Sequence, residues 1–389
     1  MIRSFPHATM AVAPMLRRLV ALLLGSAVLL DAQVPEENRA NPRVPKVLVI
    51  ATGGTIAGVQ DAPGSLGGYR AGTLTAEQII ASVPELTRFA QIETEQFSNV
   101  PSTSITPAQW LALSKRVEQV LTDRKDLAGV VVTHGTDRLE ETAFFLYLTV
   151  RSDKPVIVVG AQRPATGISP DGPINLLAAV RVAAAPQAVG KGVMVVMDDR
   201  IISAREVRKL YQRTGGFSGG EMGMLGVVGG NGPDFLYTPT RRHGKTSEFD
   251  LRQVDSLPRV ELAYSYPGGT GPRYDTPPAG VAVASNGMTR AESDVYTALR
   301  RAGVVVVTVF AYGDNMSAAR DPDAPRPEPR PATTGDAMRT DSTRAPQQPP
   351  APPMITAQHL TPAKARILLM VALTKTRDPL EIQRYFLRY

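Results

Sequence analysis

Two stretches decide the fold: Lys46-Val-Leu-Val-Ile-Ala-Thr-Gly-Gly-Thr55 and Gly129-Val-Val-Val-Thr-His-Gly-Thr-Asp137. Each is a short, β-branched apolar run that breaks off at a glycine turn carrying a threonine. Runs that are apolar at every position, rather than alternating, read as strands buried on both faces, as in a parallel sheet covered by helices. Between them Thr106-Pro107-Ala108-Gln109 is a capping-box pattern with proline at the first helical position. Trp110, Leu113, Val117, Val120 and Leu121 then recur at helical spacing. After the second turn a helix is expected over 139–148, with Glu140 and Glu141 in its first turn, where the helix dipole favours acids. Further strands are expected at 155–160 and 192–197, with a helix over 173–185 between them. This alternation gives an α/β protein whose larger N-terminal domain, residues 46–228, holds a mostly parallel sheet covered by helices.

From 229 to 258 the pattern loosens into Gly, Pro and charged residues and reads as an interdomain connection. A smaller α/β domain, 259–389, follows, with strands expected at 259–263, 279–284 and 304–310. Its helices are expected at 292–302, at 360–373 with Thr361 as cap and Pro362 at the start, and at 379–386. Inside it, ten of the 33 residues from 321 to 353 are proline, and none is Ile, Leu, Val or aromatic. Such a segment cannot build a core and reads as a disordered insertion.

At the N-terminus Arg17 and Arg18 precede twelve residues without a charge, 19–30, followed by Asp31-Ala32-Gln33. That run is shorter than the roughly 20 residues of a membrane-spanning helix. A charged start, a short apolar run and a small residue at the exit describe a secretory signal over 1–32, cut after Ala32. Residues 33–45 are then a flexible lead-in, and the mature chain is periplasmic or secreted, with no stable membrane association. An uncleaved anchor is the other reading of the same segment.

Composition narrows the chemistry. Of 389 residues 43% are hydrophobic and 20% charged, an ordinary globular balance. The net charge of +7 falls to +5 once the signal is removed, and its basic residues are scattered. No run of Lys and Arg suggests a nucleic-acid partner. The chain has no cysteine, which excludes disulfide frameworks, iron–sulfur clusters and thiolate nucleophiles. Of the four histidines only His134 sits beside a strand end, so a Ser-His-Asp triad has little to draw on. Gly244-Lys245-Thr246 imitates the end of a phosphate loop, but Pro239 stands where the earlier glycine belongs. The first glycine turn lacks the dinucleotide spacing. Neither a metal nor an organic cofactor is expected.

What remains is a pair of hydroxyls, Thr55 and Thr136, each in a glycine turn after an apolar strand. Ligands bind at the carboxyl ends of strands in open α/β sheets, and glycines let backbone approach a substrate. A threonine hydroxyl is a weak nucleophile and needs a base or a cation beside it. Asp137 suits a substrate ammonium, and Lys209 can polarise a threonine if it folds back into the site. Each threonine alone could equally be a turn or helix cap.

These residues resemble the bacterial L-asparaginase/glutaminase family of threonine-dependent amidohydrolases. The similarity is carried by residues 51–58 and by Val132-Thr-His-Gly-Thr-Asp137 with Glu140-Glu-Thr-Ala143. It continues through Gly160-Ala-Gln-Arg-Pro164, Asp171-Gly-Pro-Ile-Asn175, Val195-Val-Met-Asp-Asp199, Ala204-Arg-Glu-Val-Arg-Lys209 and residues 360–370. The resemblance implies Thr55 as the attacking hydroxyl and Tyr69 as the group on a mobile loop that assists proton transfer. It implies Ser102 for the substrate α-carboxylate, Asp137 for its α-ammonium, Thr136 with Lys209 as a second polarising pair, and the backbone around Ala161 for the amide. It further implies a flavodoxin-like smaller domain, and homotetramers in which a neighbour's C-terminal domain completes each site. Three positions depart from the family pattern. Thr103 replaces the glutamine beside the binding serine, Gly268 an asparagine from the neighbour, and Asp314 and Asn315 stand where a glutamate is expected.

The sequence thus reads as an exported amidohydrolase converting L-asparagine to L-aspartate and ammonia through a threonine acyl-enzyme. Glutaminase or dual activity differs by one methylene of substrate, and a binding protein without turnover is the alternative of another class. N-terminal sequencing of chain recovered from an exported fraction should begin near Gln33; an intact N-terminus in the cytosol would contradict the signal assignment.

Overall fold

A computed structural model describes residues 44–64, 68–312, 321–324 and 350–389. The expected signal, most of the lead-in, Asp314 and Asn315 lie outside those residues. The first run, β1 (Lys46–Gly53), sits one strand in from the edge of an eight-stranded sheet. Its other strands are β2 (Gln91–Val100), β3 (Leu127–Thr133), β4 (Val156–Val159), β5 (Val193–Met197), β6 (Arg200–Ser203), β7 (Met224–Gly229) and β8 (Gly232–Phe235). The order across the sheet is β8-β7-β6-β5-β4-β3-β1-β2.

Strands β2, β1, β3, β4 and β5 are parallel, whereas β6, β7 and β8 pair antiparallel. The parallel part therefore runs 2-1-3-4-5. From β1 the chain goes first outward to β2 and then back past β1 to β3, so the winding reverses between β1 and β3. A crevice opens at such a reversal, beyond the carboxyl ends of the strands. Both threonine turns lie at that point.

Helices α1 (Ala76–Ala81), α2 (Pro107–Asp123), α3 (Leu139–Thr149) and α4 (Gly172–Ala184) cover the sheet. Thr106 and Gln109 exchange the two bonds of the expected capping box at the start of α2. Trp110, Leu113, Val117, Val120 and Leu121 all lie on its buried side. Trp110 stacks on Phe145 at 5.6 Å, and its indole N–H donates to Thr142 Oγ1 at 2.8 Å, so this large ring is buried with its polar atom satisfied. Helix α3 is buried almost all round because the second lobe covers the side that the sheet does not.

That lobe is a four-stranded parallel sheet of β9 (Val260–Tyr264), β10 (Gly280–Ala284), β11 (Val305–Val309) and β12 (Ile355–Thr356), in that sequential order. It carries α5 (Arg290–Arg301), α6 (Pro362–Ala372) and α7 (Pro379–Arg388). Thr361 caps α6 by accepting from Lys364 N, as its position before Pro362 suggested. One continuous apolar core joins β1, β3, β4 and β5 to α3, and α3 to α6.

Three expectations need correction. The first sheet runs on to Phe235, inside the stretch read as a connection (229–258), because the hairpin of β7 and β8 is rich in glycine and looks like loop. Strand β2 was not expected at all: Glu93 and Glu95 break up its apolar pattern. They pair with Arg124 at the C-terminal end of α2 and with Arg116 of that helix, and charge of this kind suits an edge strand that must not recruit another. The insertion drawn at 321–353 is too wide at both ends. Asp323 pairs with Arg384 of α7 at 2.8 Å, and the Pro352 carbonyl accepts from Arg300 at 2.6 Å. Residues 325–349 lie outside the described residues.

Replacing Phe145 by Ala removes a fully buried ring that stacks on Trp110. It should lower the free energy of unfolding by about 3–5 kcal/mol in urea titrations. Ile168→Ala, at a position 72% exposed, should change it by less than about 0.5 kcal/mol.

Candidate active site

The two turns touch backbone to backbone. Gly53 and Gly54 hold φ of 103° and 83°, the left-handed region that favours glycine. A side chain on Gly54 would place Cβ 2.3 Å from the N and Cα of Gly135, and one on Gly135 would meet Ser102 Oγ at 2.8 Å. Two glycines thus let the end of β1 and the end of β3 close on each other, with Ser102 packed beside them. Strand pairing sets the same alignment lower down, where Ala51 lies opposite Thr133 and Thr52 Oγ1 donates to the Thr133 carbonyl at 2.8 Å.

Thr55 opens a 3₁₀ turn and is 6% exposed; its hydroxyl lies 2.7 Å from Tyr69 OH. Tyr69 stands on a short antiparallel ribbon, Val59–Gln60 against Tyr69–Arg70, and is 40% exposed. Its ring crosses Gly58 so closely that a Cβ there would sit 2.8 Å from Cδ2. Thr136, 5% exposed, accepts from Lys209 Nζ at 2.8 Å, and the same Nζ donates to Asp137 Oδ1 at 2.6 Å. Lys209 does fold back. It lies on a second ribbon, Arg208–Lys209 against Phe217–Ser218, and its own backbone N–H donates to Glu140 Oε2 at 2.6 Å. Because Lys209 Nζ is donor only, Thr136 Oγ1 must accept from it, which frees the threonine proton for another acceptor. Gln162 Oε1 lies 3.5 Å away on that side.

Ser102, 4% exposed, accepts from Arg138 N at 3.3 Å, so it lines the same crevice. Thr103, next to it, is exposed. Ala161 is fully buried in the loop after β4. That loop is fixed by Asp171, which accepts from the backbone N–H groups of Gln162 and Arg163 at 2.9 and 2.8 Å. Asn175 holds Gly160 O at 3.1 Å and accepts from Asp198 N at 3.0 Å. Thr55 with Tyr69, and Thr136 with Asp137 and Lys209, are therefore assembled at one crevice with Ser102.

Sequence reasoning assigned no site role to Glu140, Gln162, Asp171 or Asn175. Glu140 stands in the sequence as an acid favoured by a helix dipole and within one of the stretches quoted for similarity. Gln162, Asp171 and Asn175 also lie in such stretches, and a polar residue soon after an apolar strand was the available signal. Gly244–Thr246 forms a 3₁₀ turn with no strand leading into it, and Lys245 pairs with Asp153, so the phosphate-loop imitation is a surface turn. Among the described residues no group of three His, Asp or Glu is placed to hold a metal ion.

Two threonine hydroxyls, each hydrogen-bonded to a group able to polarise it, thus lie at the topological reversal where α/β sheets of this kind bind their ligands. The chain belongs to the asparaginase family: the family model described as asparaginase, N-terminal, matches residues 46–241. It is 40% identical over 358 residues to L-asparaginase 2 of Bacillus subtilis (strain 168), covering 89% of this chain and 87% of that one. It is 39% identical over 385 residues to the glutaminase-asparaginase of Pseudomonas fluorescens biotype A, covering 95% and 97%. The solved structure of a probable cytoplasmic L-asparaginase from Campylobacter jejuni superposes with a TM-score of 0.73. Identity there is 35%, with 89% of this chain and all of that one covered.

His134, which opens the second turn, is fully buried; its Nδ1 lies 2.7 Å from the Gly135 carbonyl, and among the described residues its Nε2 has no hydrogen-bond partner. Burial pushes this imidazole down to about 4, against the opposing pull of the Gly135 bond. In the unfolded chain it titrates near 6.5, so below that pH the unfolded state takes up a proton that the native state refuses. The contribution is complete above pH 6.5 and is lost as pH falls toward 4, by up to roughly 3 kcal/mol. Urea titrations at pH 7 and 4.5 should show that His134→Gln loses less stability on acidification than the parent chain. Equal losses would contradict the assignment.

Proposed function

We propose that this protein hydrolyses the side-chain amide of L-asparagine to L-aspartate and ammonia through an ester on Thr55. The observation that carries the reading is the pairing of each threonine with its own polarising group, Tyr69 at 2.7 Å from Thr55 and Lys209 at 2.8 Å from Thr136. Binding alone needs no such pair, which weighs against a protein that only captures amino acids.

In this reading the α-ammonium of the substrate lies at Asp137, whose side chain is half exposed, and the α-carboxylate at Ser102. Thr103 flanks that carboxylate position, and backbone around Ala161 holds the side-chain amide. Thr55 Oγ attacks the amide carbon, its proton leaving toward Tyr69 OH. Backbone N–H groups at the glycine turns stabilise the oxyanion. Tyr69 OH passes the Thr55 proton on to the amide nitrogen, the carbon–nitrogen bond breaks, and ammonia leaves with the acyl group held on Thr55 Oγ. A water molecule then adds to the ester carbon, its proton passing by way of Thr136 Oγ1, which hands on its own proton while Lys209 stays protonated; the bond from the ester carbon to Thr55 Oγ breaks, Thr55 Oγ takes that proton, and aspartate is released. No metal or cofactor takes part.

A second reading, dual activity on asparagine and glutamine, is favoured by the similarity to an enzyme named for both. One methylene is worth only about 1–3 kcal/mol of discrimination, so the same site can serve both amides. We also infer export through the 1–32 signal, and assembly as a homotetramer in which a neighbour's C-terminal lobe closes the exposed side of Asp137.

The test is ammonia release from asparagine and glutamine by the purified chain. Thr55→Ala should lower kcat by roughly a thousandfold or more, and Thr136→Ala should also abolish most turnover. Tyr69→Phe should cost about 10²–10⁴-fold. Near-normal release by Thr55→Ala would transfer the nucleophile assignment to Thr136.

A further inference from the structure

Lys364 of α6 is 1% exposed, yet its ammonium faces no carboxylate within bonding distance. Nζ donates instead to two backbone carbonyls, Arg205 O at 2.7 Å and Val207 O at 2.5 Å, with the Phe144 ring 5.7 Å away. Lysine is among the residues least often buried, and a methionine would fill similar space without desolvating a charge. Burial does push this ammonium down, to about 8, although Glu140 and Glu206 pull the other way. The fold retains a costly group where an apolar one would pack.

The two carbonyls say what the group holds. Arg205 and Val207 belong to the stretch that leaves β6 at Ser203 and reaches Lys209 two residues later. Val207 N donates to Ser203 O at 2.9 Å, turning the chain back on itself. Arg205 Nη2 donates to Tyr389 O at 2.9 Å, a second tie from the C-terminal lobe. On the other side Glu140 of α3 takes the Lys209 N–H at 2.6 Å. The stretch is pinned between α3 of the first lobe and α6 of the second.

We propose that Lys364 is a positioning residue for Lys209: by bridging the carbonyls of Arg205 and Val207 it fixes the stretch that aims Lys209 Nζ at Thr136 and Asp137. A flexible stem with three donors suits a bridge between carbonyls two residues apart. The proposal rests on the reading of Lys209 as part of the catalytic machinery. It extends the working site into the core of the second lobe, by a residue that touches no substrate.

A double-mutant cycle in the full chain tests it, with Lys209→Met, Lys364→Met and the double variant assayed for kcat and KM on asparagine well below their melting temperatures. Leu369→Ala, on the same helix but packed toward Gly280 of β10, supplies a comparably destabilised control. Lys364→Met should lower kcat by about 10–100-fold with KM within about threefold, as expected for a misplaced group. The double variant should be no slower than Lys209→Met, and Leu369→Ala should keep kcat within about threefold. Should Lys364→Met not fold, Lys364→Gln, which keeps one donor group, takes its place. Three results overturn the proposal while leaving Lys209 catalytic: unchanged kcat in the Lys364 variant, losses that multiply in the double variant, or an equal kcat loss in Leu369→Ala. Wild-type activity in Lys209→Met overturns the underlying reading, and the proposal with it.

Discussion

The contact between Gly54 and Gly135 is the constraint on which the rest depends. Two parallel strands that are neighbours in a sheet end in turns that ordinarily diverge, because side chains keep backbones apart. Here a Cβ on Gly54 would overlap the Gly135 backbone at 2.3 Å, so only glycine permits the approach. Thr55 and Thr136 each follow one of these glycines directly, and the closeness of the turns places both hydroxyls at one crevice. The winding of the sheet supplies the other half of the condition, since β1 and β3 are neighbours on the sheet only because the chain reverses direction there. Fold and site are in that sense one feature.

The turns by themselves present hydroxyls of ordinary reactivity, and what differs between them is the partner each receives. Thr55 meets a phenol from an exposed ribbon, and Thr136 meets an amine from a ribbon anchored in the core. The first partner is 40% exposed, whereas the second is held by groups from both lobes. Asp171 and Asn175 fix the loop after β4 in the same way, by taking its N–H groups and carbonyl into buried side-chain bonds. Backbone fixed in this way holds the two threonine turns in one geometry.

Much of this was legible in the chain. The apolar strands, the caps at Thr106 and Thr361, and the threonine turns are local signals, and local signals survive into the structure. Of the residues named from the sequence, Thr55 lies beside Tyr69, Thr136 and Asp137 lie beside Lys209, and Thr103 is exposed. What escaped was long-range or disguised. Strand β2 carries glutamates that its edge position requires, so its alternation is blurred. The β7–β8 hairpin is written in glycines and reads as loop. Glu140 takes the backbone N–H of Lys209, 69 residues away, and Lys364 bonds the Arg205 carbonyl, 159 residues away. Spacing cannot report a contact whose geometry is set by two lobes packing together.

The account's central claim is that Thr55, and not Thr136, forms the covalent bond to substrate. The direct measurement is rapid acid quenching of the enzyme during turnover of asparagine, followed by proteolysis and mass spectrometry of the peptides that carry the two threonines. The account predicts an aspartyl ester on the peptide containing Thr55, absent in Thr55→Ala and accumulating when Thr136 is replaced. An ester on the Thr136 peptide, persisting in Thr55→Ala, would contradict it.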